Sequence, residues 1–401
     1  MNFAIITLGC KINQYEGQRI KEALCSRGHT EQAFSMPGAD CYIINTCTVT
    51  HRSDADVRKL IRSALRSKAR VVATGCQAVV YPDDIRAISD RIEVVLPDEI
   101  AGHLGATMPD GIMGFKGHSR AFVKVQSGCD NYCAYCVVPF ARGVPWSRPW
   151  NDVVFEINNL SRKGYKEVVL CGINIGLYDG GIAALLQKIL EHTSIERIRI
   201  SSIEPWTVDD ELIDIVVAEP RVCKHLHLPL QSGSDRILSA MGRPYNAAYF
   251  KDLVCKIRRF SMNIAIGSDV MVGFPGEDNK SFQETYSLLE DMELTYLHVF
   301  PYSLRPNTMA AYMADQVDAS VKKDRALMLR KLSHAKKEAF IQSQLGLFED
   351  VIVTHAGPDS FCGITSNYLK IQVQCSACMN DLLRIRMDHY TGKAIIGSLH
   401  G

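Results

Sequence analysis

The sequence has almost no excess of one charge and no long apolar run. Its 401 residues include 45 lysines and arginines against 44 aspartates and glutamates, for a formal net charge of +1. A global basic field is therefore excluded, and any affinity for nucleic acid has to come from local patches. No apolar run approaches the roughly 18 residues that a membrane helix needs, so we expect no membrane partner.

The first residues also lack the features of a secretory leader. Residues 1–9 form a short apolar segment without a basic start or a cleavage site. Without secretory features, the 14 cysteines indicate a reducing compartment and metal chemistry rather than disulfides. We therefore expect a cytoplasmic protein.

Three cysteines, Cys129, Cys133 and Cys136, form the most informative motif, here called the first trio. Their C-x3-C-x2-C spacing supplies three thiolates and no fourth. Structural zinc prefers four ligands, usually as two separated pairs. An iron–sulfur cube can be held by three cysteines, which leaves one iron open to bind something else. The spacing favours an enzymatic cluster over a partial zinc site or a chance grouping.

The chain divides into three predicted domains of the α/β class and one linker. We predict an N-terminal parallel α/β sheet domain over 1–104, a glycine-rich linker over 105–118, a partial TIM-type (βα)6 barrel over 119–343 and a small antiparallel β-barrel over 344–401. In a TIM-type barrel the chemistry lies on loops after the strands, and the first trio follows the first predicted strand. The six predicted barrel strands are residues 121–125, 167–171, 197–202, 225–230, 263–272 and 296–301.

Three further cysteines, Cys10, Cys47 and Cys76, each end a strand-like run in the N-terminal domain and are here called the second trio. Cys47 lies 37 residues after Cys10, and Cys76 a further 29, each about the length of one βαβ crossover. Parallel strands bring their carboxyl ends to one sheet edge, so we expect the three thiols there. This geometry alone favours a second three-thiolate site and three unrelated packing cysteines about equally.

These motifs resemble the methylthiotransferases, a family of the radical S-adenosylmethionine (SAM) superfamily. The C-terminal barrel resembles the TRAM module, an RNA-binding fold. The matching segments follow one another along essentially the whole chain: LGCKINQYE at 8–16, NTCT at 45–48, TGC at 74–76, residues 127–143, GINIGLY at 172–178, LPLQSGSD at 228–235, SDVMVGFPGE at 268–277 and HVFPY at 298–302.

The resemblance implies two [4Fe–4S] clusters and SAM as cofactors. The first trio would bind the radical-SAM cluster, which passes an electron to SAM and releases a 5′-deoxyadenosyl radical. The second trio would bind an auxiliary cluster, which carries the sulfur that is methylated and transferred. We expect a flavodoxin- or ferredoxin-like electron donor, and the sequence does not identify the sulfur donor. Because methylthio transfer cannot cross a wide gap, we expect the N-terminal sheet edge to face the mouth of the barrel.

Polar residues after the barrel strands are candidates to hold SAM. We expect Arg243 to pair with the SAM carboxylate through two hydrogen bonds. Ordinary loop polarity explains each of these positions equally well, and no catalytic residue beyond the cysteines is assigned. We expect His225 and His227 to face opposite ways on their strand, with a structural role for His227. By resemblance the positions near SAM are Asn174, Ser202, Glu204, Gln231, Ser232 and Arg243.

The resemblance also narrows the substrate. The family acts on modified adenosines beside the tRNA anticodon or on a ribosomal-protein aspartate. Segments 172–178, 199–205 and 298–306 look most like the branch that inserts a methylthio group at C2 of N6-threonylcarbamoyladenosine. Segment 231–238 is shared with the isopentenyladenosine branch, which stays an alternative. Segment 305–311 departs from the usual Arg-Pro-Gly-Thr-Pro-Ala-Ala pattern.

We expect local groups of basic residues to contact the tRNA anticodon stem-loop. We expect no DNA partner. A helix predicted over 57–70 carries Arg58 and Arg62, and the C-terminal strands carry Lys370, Arg384 and Arg386. Any one such residue more commonly lies on a solvated face and binds no partner. The target base has to leave its stack to reach a buried cluster, which is easier in a single-stranded loop.

A non-catalytic iron–sulfur protein that binds RNA and senses redox state is the alternative of another class. A sensor has no need of the polar strand ends around SAM, so their presence favours an enzyme. Cys375 and Cys378 form a lone C-x2-C pair, which is a weak indication of zinc.

Overall fold

The structure, a computed structural model, describes residues 1–399. It contains a five-stranded parallel sheet, an open barrel of six parallel strands and a closed five-stranded barrel. The predicted α/β class and its three architectures are therefore confirmed. None of the helices within residues 1–399 combines the length and the apolar character that a membrane crossing needs.

The N-terminal domain is a parallel sheet covered by helices on both faces. Its elements are β1 (Asn2–Thr7), α1 (Lys11–Ser26), β2 (Thr30–Glu31), β3 (Cys41–Thr46), α2 (His51–Ala64), β4 (Arg70–Gly75), α3 (Cys76–Val80), α4 (Pro82–Arg86), β5 (Ile92–Val94) and α5 (Ile100–His103). The strand order is β2-β1-β3-β4-β5. Because side chains alternate along a strand, Phe3 and Ile43 pack with α1 and α5, while Ala4 and Ile44 pack with α2.

The bounds of α2 correct one prediction. The helix was expected over 57–70, but it begins at His51 and ends at Ala64, and Arg70 is the first residue of β4. Thr50 and Ser53 form a capping box, in which each side chain accepts a hydrogen bond from the other's backbone N–H. This cap fixes the start of the helix, and the apolar periodicity alone did not reveal it.

The middle domain is the predicted partial barrel. Its parallel strands form two three-stranded sheets, β6-β9-β10 and β11-β12-β13, joined by an isolated bridge between Ser202 and His227. Its elements are β6 (Arg120–Lys124), β7 (Gln126–Ser127), α6 (Val138–Arg142), β8 (Trp146–Ser147), α7 (Trp150–Arg162), β9 (Glu167–Cys171), α8 (Ile182–His192), β10 (Arg197–Ile200), α9 (Asp210–Ala218), β11 (His225–His227), α10 (Asp235–Ala240), α11 (Ala247–Phe260), β12 (Ala265–Val272), α12 (Asn279–Asp291), β13 (Tyr296–Pro301) and α13 (Ala319–Gln344).

The C-terminal domain closes into a small barrel in the order β14-β15-β16-β18-β17. Most pairs are antiparallel as predicted, but β16 and β18 pair in parallel and close the barrel. Its interior is filled by alternate residues such as Val351, Ile371 and Ile385. The strands are β14 (Phe348–Ala356), β15 (Phe361–Thr365), β16 (Lys370–Val373), β17 (Leu382–Tyr390) and β18 (Ile395–Leu399).

The predicted linker, residues 105–118, contains no helix or strand and is packed against its neighbours. Ile112 and Phe115 are buried in the apolar core of the partial barrel. The Glu22 carboxylate of α1 accepts hydrogen bonds from the backbone N–H groups of Met113 and Gly114, at 2.7 and 3.1 Å. The segment therefore fixes the N-terminal domain to the barrel rather than separating them.

A buried charge cluster joins the partial barrel to the C-terminal barrel. The Glu167 carboxylate lies 2.7 Å from Arg197 and 2.8 Å from Arg199. Both arginines also donate across the joint, Arg197 to the carbonyl of Asp350 and Arg199 to that of Thr365. Burial alone raises the pKa of Glu167, but the adjacent guanidinium groups outweigh it and lower the pKa to about 2.

Replacement of this carboxylate is predicted to weaken the joint. We expect Glu167→Gln to lower the free energy of unfolding by about 3–5 kcal/mol, because it leaves two buried arginines without a counter-charge. Since the pKa of Glu167 is depressed, its stabilisation is full above pH ~4.5 and is lost as the pH falls toward 2. Urea unfolding at several pH values measures both effects, and the gap between wild type and variant should narrow with acid. Glu196→Gln is the matched control, because the exposed Glu196–Lys166 pair contributes at most about 1 kcal/mol; equal losses for both variants would contradict the prediction.

Candidate functional site

The loop of the first trio follows β6 and β7 at the carboxyl end of the first barrel strand, where the sequence predicts it. The loop folds back on itself, since the Cys129 N–H donates to the Gly143 carbonyl at 3.1 Å. Gly128 has a φ of 77°, and a Cβ there would lie 1.9 Å from the Val144 carbonyl oxygen. Only glycine fits this position. Burial raises the pKa of Cys136 to about 12, and binding of a metal at this thiol would release its proton.

Asn174 provides the test of whether a ligand fits beside this loop. Both polar atoms of its side chain are buried without a hydrogen-bond partner in the described residues. Burial raises the pKa of Cys129, and the neighbouring Asn174 amide partly opposes that rise. A buried donor and acceptor without partners are costly unless a ligand satisfies them. The residues present therefore fit a ligand with both an ammonium and a carboxylate group, such as the amino-acid end of SAM.

Arg243 and Glu204 form an ion pair against the first trio. Arg243 donates to both carboxylate oxygens of Glu204 and to the Cys133 sulfur at 3.4 Å. Its guanidinium carbon stacks 4.8 Å from the ring centre of Trp206 and 5.2 Å from that of Tyr245. The sequence predicted that Arg243 pairs with the SAM carboxylate through two hydrogen bonds. The structure shows one that is already oriented by a carboxylate and two rings.

The other candidate SAM-binding residues differ in whether their polar groups are accessible. Ser202 is exposed at the end of β10, and Gln231 is partly buried with a left-handed φ of 69°. The Ser232 side chain is fully buried, and its hydroxyl lies 3.2 Å from the hydroxyl of Thr285. Ser232 is therefore committed to protein partners, whereas Ser202 and Gln231 have accessible polar groups.

The second trio meets at one edge of the N-terminal sheet. A Cβ on Gly9, the residue before Cys10, would lie 2.6 Å from the Cys47 sulfur. Burial is the main cause that raises the pKa of Cys76 to about 11; the charge of Arg142 opposes the rise, and the neighbouring thiols of Cys10 and Cys47 add to it. The three strand-end thiols thus come together as the βαβ geometry predicted, although they are distant in sequence.

Asn13, in the first turn of α1, organises the second trio. Its amide nitrogen donates to the carbonyls of Leu8 and Thr46, at 2.9 and 2.8 Å. Its amide oxygen lies 3.6 Å from the Cys76 sulfur. The two donated bonds hold the segments that precede Cys10 and Cys47 in register with each other.

Arg142 connects the two trios. It is the last residue of α6, six positions after Cys136, and its side chain is almost fully buried. It donates to both carboxylate oxygens of Glu16 at 2.7 Å and to the amide oxygen of Asn13. The negative charge of Cys76 raises the pKa of Arg142, although burial opposes the rise. The loop of the first trio therefore lies directly against the sheet edge that carries the second.

Sequence reasoning did not single out Asn13, Glu16 or Arg142, although all three lie in the motifs that carry the resemblance. The available signal was position: Asn13 and Glu16 follow Cys10 by three and six residues, and Arg142 follows Cys136 by six. A polar or charged residue only a few positions from a metal ligand is a candidate to hydrogen-bond that ligand or to balance its charge.

His225 and His227 correct another prediction. They were expected to face opposite ways, but residues i and i+2 of a strand share a face. Both rings contact the Tyr296 hydroxyl, His225 at 2.8 Å and His227 at 3.3 Å. The two histidines therefore belong to one polar group on the inner face of the barrel.

The candidate RNA-binding residues are all exposed. Arg58 and Arg62 lie on the outer face of α2, and Lys370, Arg384 and Arg386 lie on the outer face of the C-terminal barrel. Arg384 pairs with Asp350 at 3.2 Å. Lys370 also lines a cavity of about 720 Å³ between the linker and the C-terminal barrel, together with Arg120 and Lys393.

Comparison with known proteins gives matches along the chain. Residues 123–289 match the family described as the radical SAM superfamily, and residues 2–97 match an uncharacterized protein family, UPF0004. A solved structure of the radical SAM methyltransferase TsrM from Kitasatospora setae superposes with a TM-score of 0.55 at 15% identity, covering 77% of this chain and 74% of that one. This last likeness concerns the fold alone.

Two relatives are similar over most of their length. The threonylcarbamoyladenosine tRNA methylthiotransferase MtaB of Bacillus subtilis is 35% identical over 404 residues, covering 92% of this chain and 89% of that protein. The tRNA-2-methylthio-N(6)-dimethylallyladenosine synthase of Coxiella burnetii is 33% identical over 398 residues, covering 90% and 91%. The chain is an enzyme that belongs to the radical SAM methylthiotransferase family, whose members use SAM and a [4Fe–4S] cluster.

Proposed function

We propose that this enzyme inserts a methylthio group at C2 of N6-threonylcarbamoyladenosine next to the anticodon of tRNA, with SAM and two [4Fe–4S] clusters. The observation that carries the proposal is the direct contact between two sites of three cysteines each, through Arg142, Glu16 and Asn13. The relative from Bacillus subtilis, named for this substrate, supports the choice of nucleoside.

The first trio would hold the cluster that binds SAM, and the second trio would hold the auxiliary cluster. When bound, the two clusters and SAM supply radical formation and the sulfur and methyl groups. Asn174 and the Arg243–Glu204 pair line the first site, where they orient the amino-acid end of SAM. Arg142 places a buried positive charge beside the thiolates of the second site, which offsets their negative charge.

Binding of tRNA would rely on local positive charge. The exposed Arg58 and Arg62 on α2 lie on the same domain as the second trio, and Lys370, Arg384 and Arg386 lie on the C-terminal barrel. Contacts from both domains to the phosphate backbone would hold the anticodon loop over the two trios. A flavodoxin- or ferredoxin-like protein would supply the electrons.

Isopentenyladenosine is the second candidate substrate. The observation in its favour is the 33% identity to the synthase of Coxiella burnetii, which is close to the 35% identity of the Bacillus subtilis relative.

Mass spectrometry of tRNA nucleosides tests the choice of substrate. In a strain that lacks this enzyme, we expect threonylcarbamoyladenosine to accumulate without its methylthio group, while methylthio-isopentenyladenosine stays at its normal level. A plasmid copy of the gene should restore the modification, and a copy with Cys129→Ala should not. Loss of the methylthio group from isopentenyladenosine instead would overturn the proposed substrate.

Single cysteine variants separate the two sites. After anaerobic reconstitution we expect about eight irons in the wild-type enzyme and about four in Cys129→Ser or Cys76→Ser. Cys129→Ser should release no 5′-deoxyadenosine, whereas Cys76→Ser should release it under reduction but yield no methylthio product. Cys255→Ser, at an exposed position of α11, is the control and should behave as wild type. Full iron content in Cys76→Ser would show that the second trio holds no cluster.

Arg142→Gln tests the contact between the sites. The change removes the positive charge that neutralises Glu16 and the thiolates of the second trio, so we expect the variant to lose iron from that site. Product formation should fall by about tenfold or more, since the buried Glu16 carboxylate keeps only Lys124 as its ionic partner among the described residues. Arg66→Gln is the matched control, because Arg66 is exposed and bonds only to the Ser63 hydroxyl. Iron analysis and product assays measure both effects; unchanged iron and turnover in Arg142→Gln would contradict the prediction.

A further inference from the structure

A hydrogen-bonded row of five side chains lies on the inner face of β11, β12 and β13. The Tyr296 hydroxyl bonds to His225 at 2.8 Å and to Nδ1 of His227 at 3.3 Å. One carboxylate oxygen of Asp269 then lies 2.9 Å from Nε2 of His227 and 3.3 Å from Nδ1 of His298. None of these residues takes part in the cysteine sites described above.

The bonding pattern fixes where the row ends. Both imidazoles that contact Asp269 donate to the same carboxylate oxygen, because an ionised carboxylate only accepts. Burial opposes ionisation of Asp269, but the hydrogen bonds from His227 and His298 outweigh it and hold the pKa well below its usual range. His227 Nδ1 is then left to accept from Tyr296. Among the described residues, Nε2 of His298 has no partner. With Nδ1 donating to Asp269, Nε2 accepts a hydrogen bond in the neutral ring and donates one in the imidazolium.

The row faces the open interior of the barrel. Leu297 and Val299, which alternate with His298 along β13, are buried in the apolar core that also contains Leu329 of α13. Side chains on the opposite face of the strand therefore point inward. The His298 side chain is 52% exposed, and its neighbour Phe300 is exposed beside it.

The row also lies beside two of the candidate SAM residues, since the Gln231 N–H donates to the Asp269 carbonyl at 2.8 Å and Ser202 forms a bridge with His227. Burial is the main cause that raises the pKa of Glu204, beside the first trio, and the Asp269 carboxylate raises it as well. Burial lowers the pKa of His225, and the charge of Lys11, the residue after Cys10, adds to that effect. The row therefore lies on the barrel wall beside the strand ends where SAM would bind, and charges from both cysteine sites act on it.

We propose that His298, as an imidazolium oriented by Asp269 and His227, donates from Nε2 to the carboxylate of the N6 substituent on the target adenosine and so selects threonylcarbamoyl over isopentenyl. This inference rests on the proposed function, because it names the group by which that substrate is chosen. The threonylcarbamoyl substituent ends in a carboxylate, whereas the isopentenyl group is all hydrocarbon. A site built to donate to a carboxylate rejects an analogue that lacks it, because the donor is then left unpaired.

A metal ion is the other ligand that this geometry admits. The ligand atoms of His227, Asp269 and His298 lie within 4.8 Å of one another. The two imidazole nitrogens point at one carboxylate oxygen over hydrogen-bond distances rather than at a common centre, which favours the substrate contact.

Binding of anticodon stem-loop RNAs to the reconstituted enzyme tests the inference. Three RNAs that differ only at the target position are compared. The first carries threonylcarbamoyladenosine, the second carries the same nucleoside with its carboxylate converted to the amide, and the third carries unmodified adenosine. The variants are His298→Ala, His298→Gln and Asp269→Asn. His334→Ala is the matched control, since His334 is an exposed histidine of α13 that pairs only with Glu338. Release of 5′-deoxyadenosine without RNA reports that each variant is folded and holds the first cluster.

We expect the wild-type enzyme to bind the carboxylate RNA on the order of ten- to a hundredfold more tightly than the other two, as for a charge-assisted hydrogen bond. His298→Ala and His298→Gln should lose most of this preference and bind unmodified RNA as before, and Asp269→Asn should lose part of it. In the two His298 variants, the affinities for the amide and carboxylate RNAs should become nearly equal, which identifies the carboxylate as the partner of His298.

Each contrary result has a distinct meaning. A wild-type preference that survives intact in both His298 variants overturns the inference and leaves the proposed function standing. An equal loss of affinity for all three RNAs also overturns it, because His298 would then act on the fold or on the RNA backbone. A zinc or iron ion beyond the cluster irons, absent from His298→Ala, assigns the row to a metal instead. A wild-type enzyme without any preference for threonylcarbamoyladenosine overturns both the inference and the proposed substrate.

Discussion

The buried guanidinium of Arg142 is the contact on which the arrangement of the two cysteine sites depends. It belongs to the loop of the first trio, yet its partners Glu16 and Asn13 belong to the helix that starts at the second trio. Burial alone raises the pKa of Glu16, but Arg142 and Lys124 outweigh it and keep the carboxylate charged. A buried ion pair tolerates little displacement, because each partner alone carries a large desolvation penalty. The contact therefore fixes the separation of the two sites as well as their connection.

Buried arginines also form contacts at the other boundaries between domains. Arg305, from the segment after β13, reaches the N-terminal domain, where it lies 2.7 Å from Asp54 and donates to the carbonyl of Thr48, the residue after Cys47. Arg199 and Glu167 form the corresponding buried ion pair under the C-terminal barrel. Apolar surfaces can slide against one another with little change in free energy, whereas an arginine bonded to a carboxylate and to carbonyls has one favourable position. In this enzyme the apolar cores stabilise each domain, and we infer that buried arginines set how the domains fit together.

Local patterns in the sequence were sufficient for most of the fold. All six barrel strands occur within three residues of their predicted starts and ends, because a buried parallel strand has a short apolar run that is easy to recognise. The first residue of α2 was missed, since its start depends on the cap formed by Thr50 and Ser53 rather than on apolar periodicity. The parallel pairing of β16 with β18 was also missed, because pairing depends on how the whole barrel closes.

For the site, the six cysteines and the strand ends that carry them could be read from the chain alone, because their spacing and the direction of parallel strands are properties of the sequence. Which of the polar side chains have free groups depends on the folded arrangement. It committed Ser232 to Thr285, bonded Arg243 to Glu204 and left the Asn174 amide without a partner. It also brought His227, Asp269 and His298 together from three separate strands. The physical reason is that a hydrogen bond is made over about 3 Å in space, and residues far apart in sequence reach that distance only when the barrel closes around them.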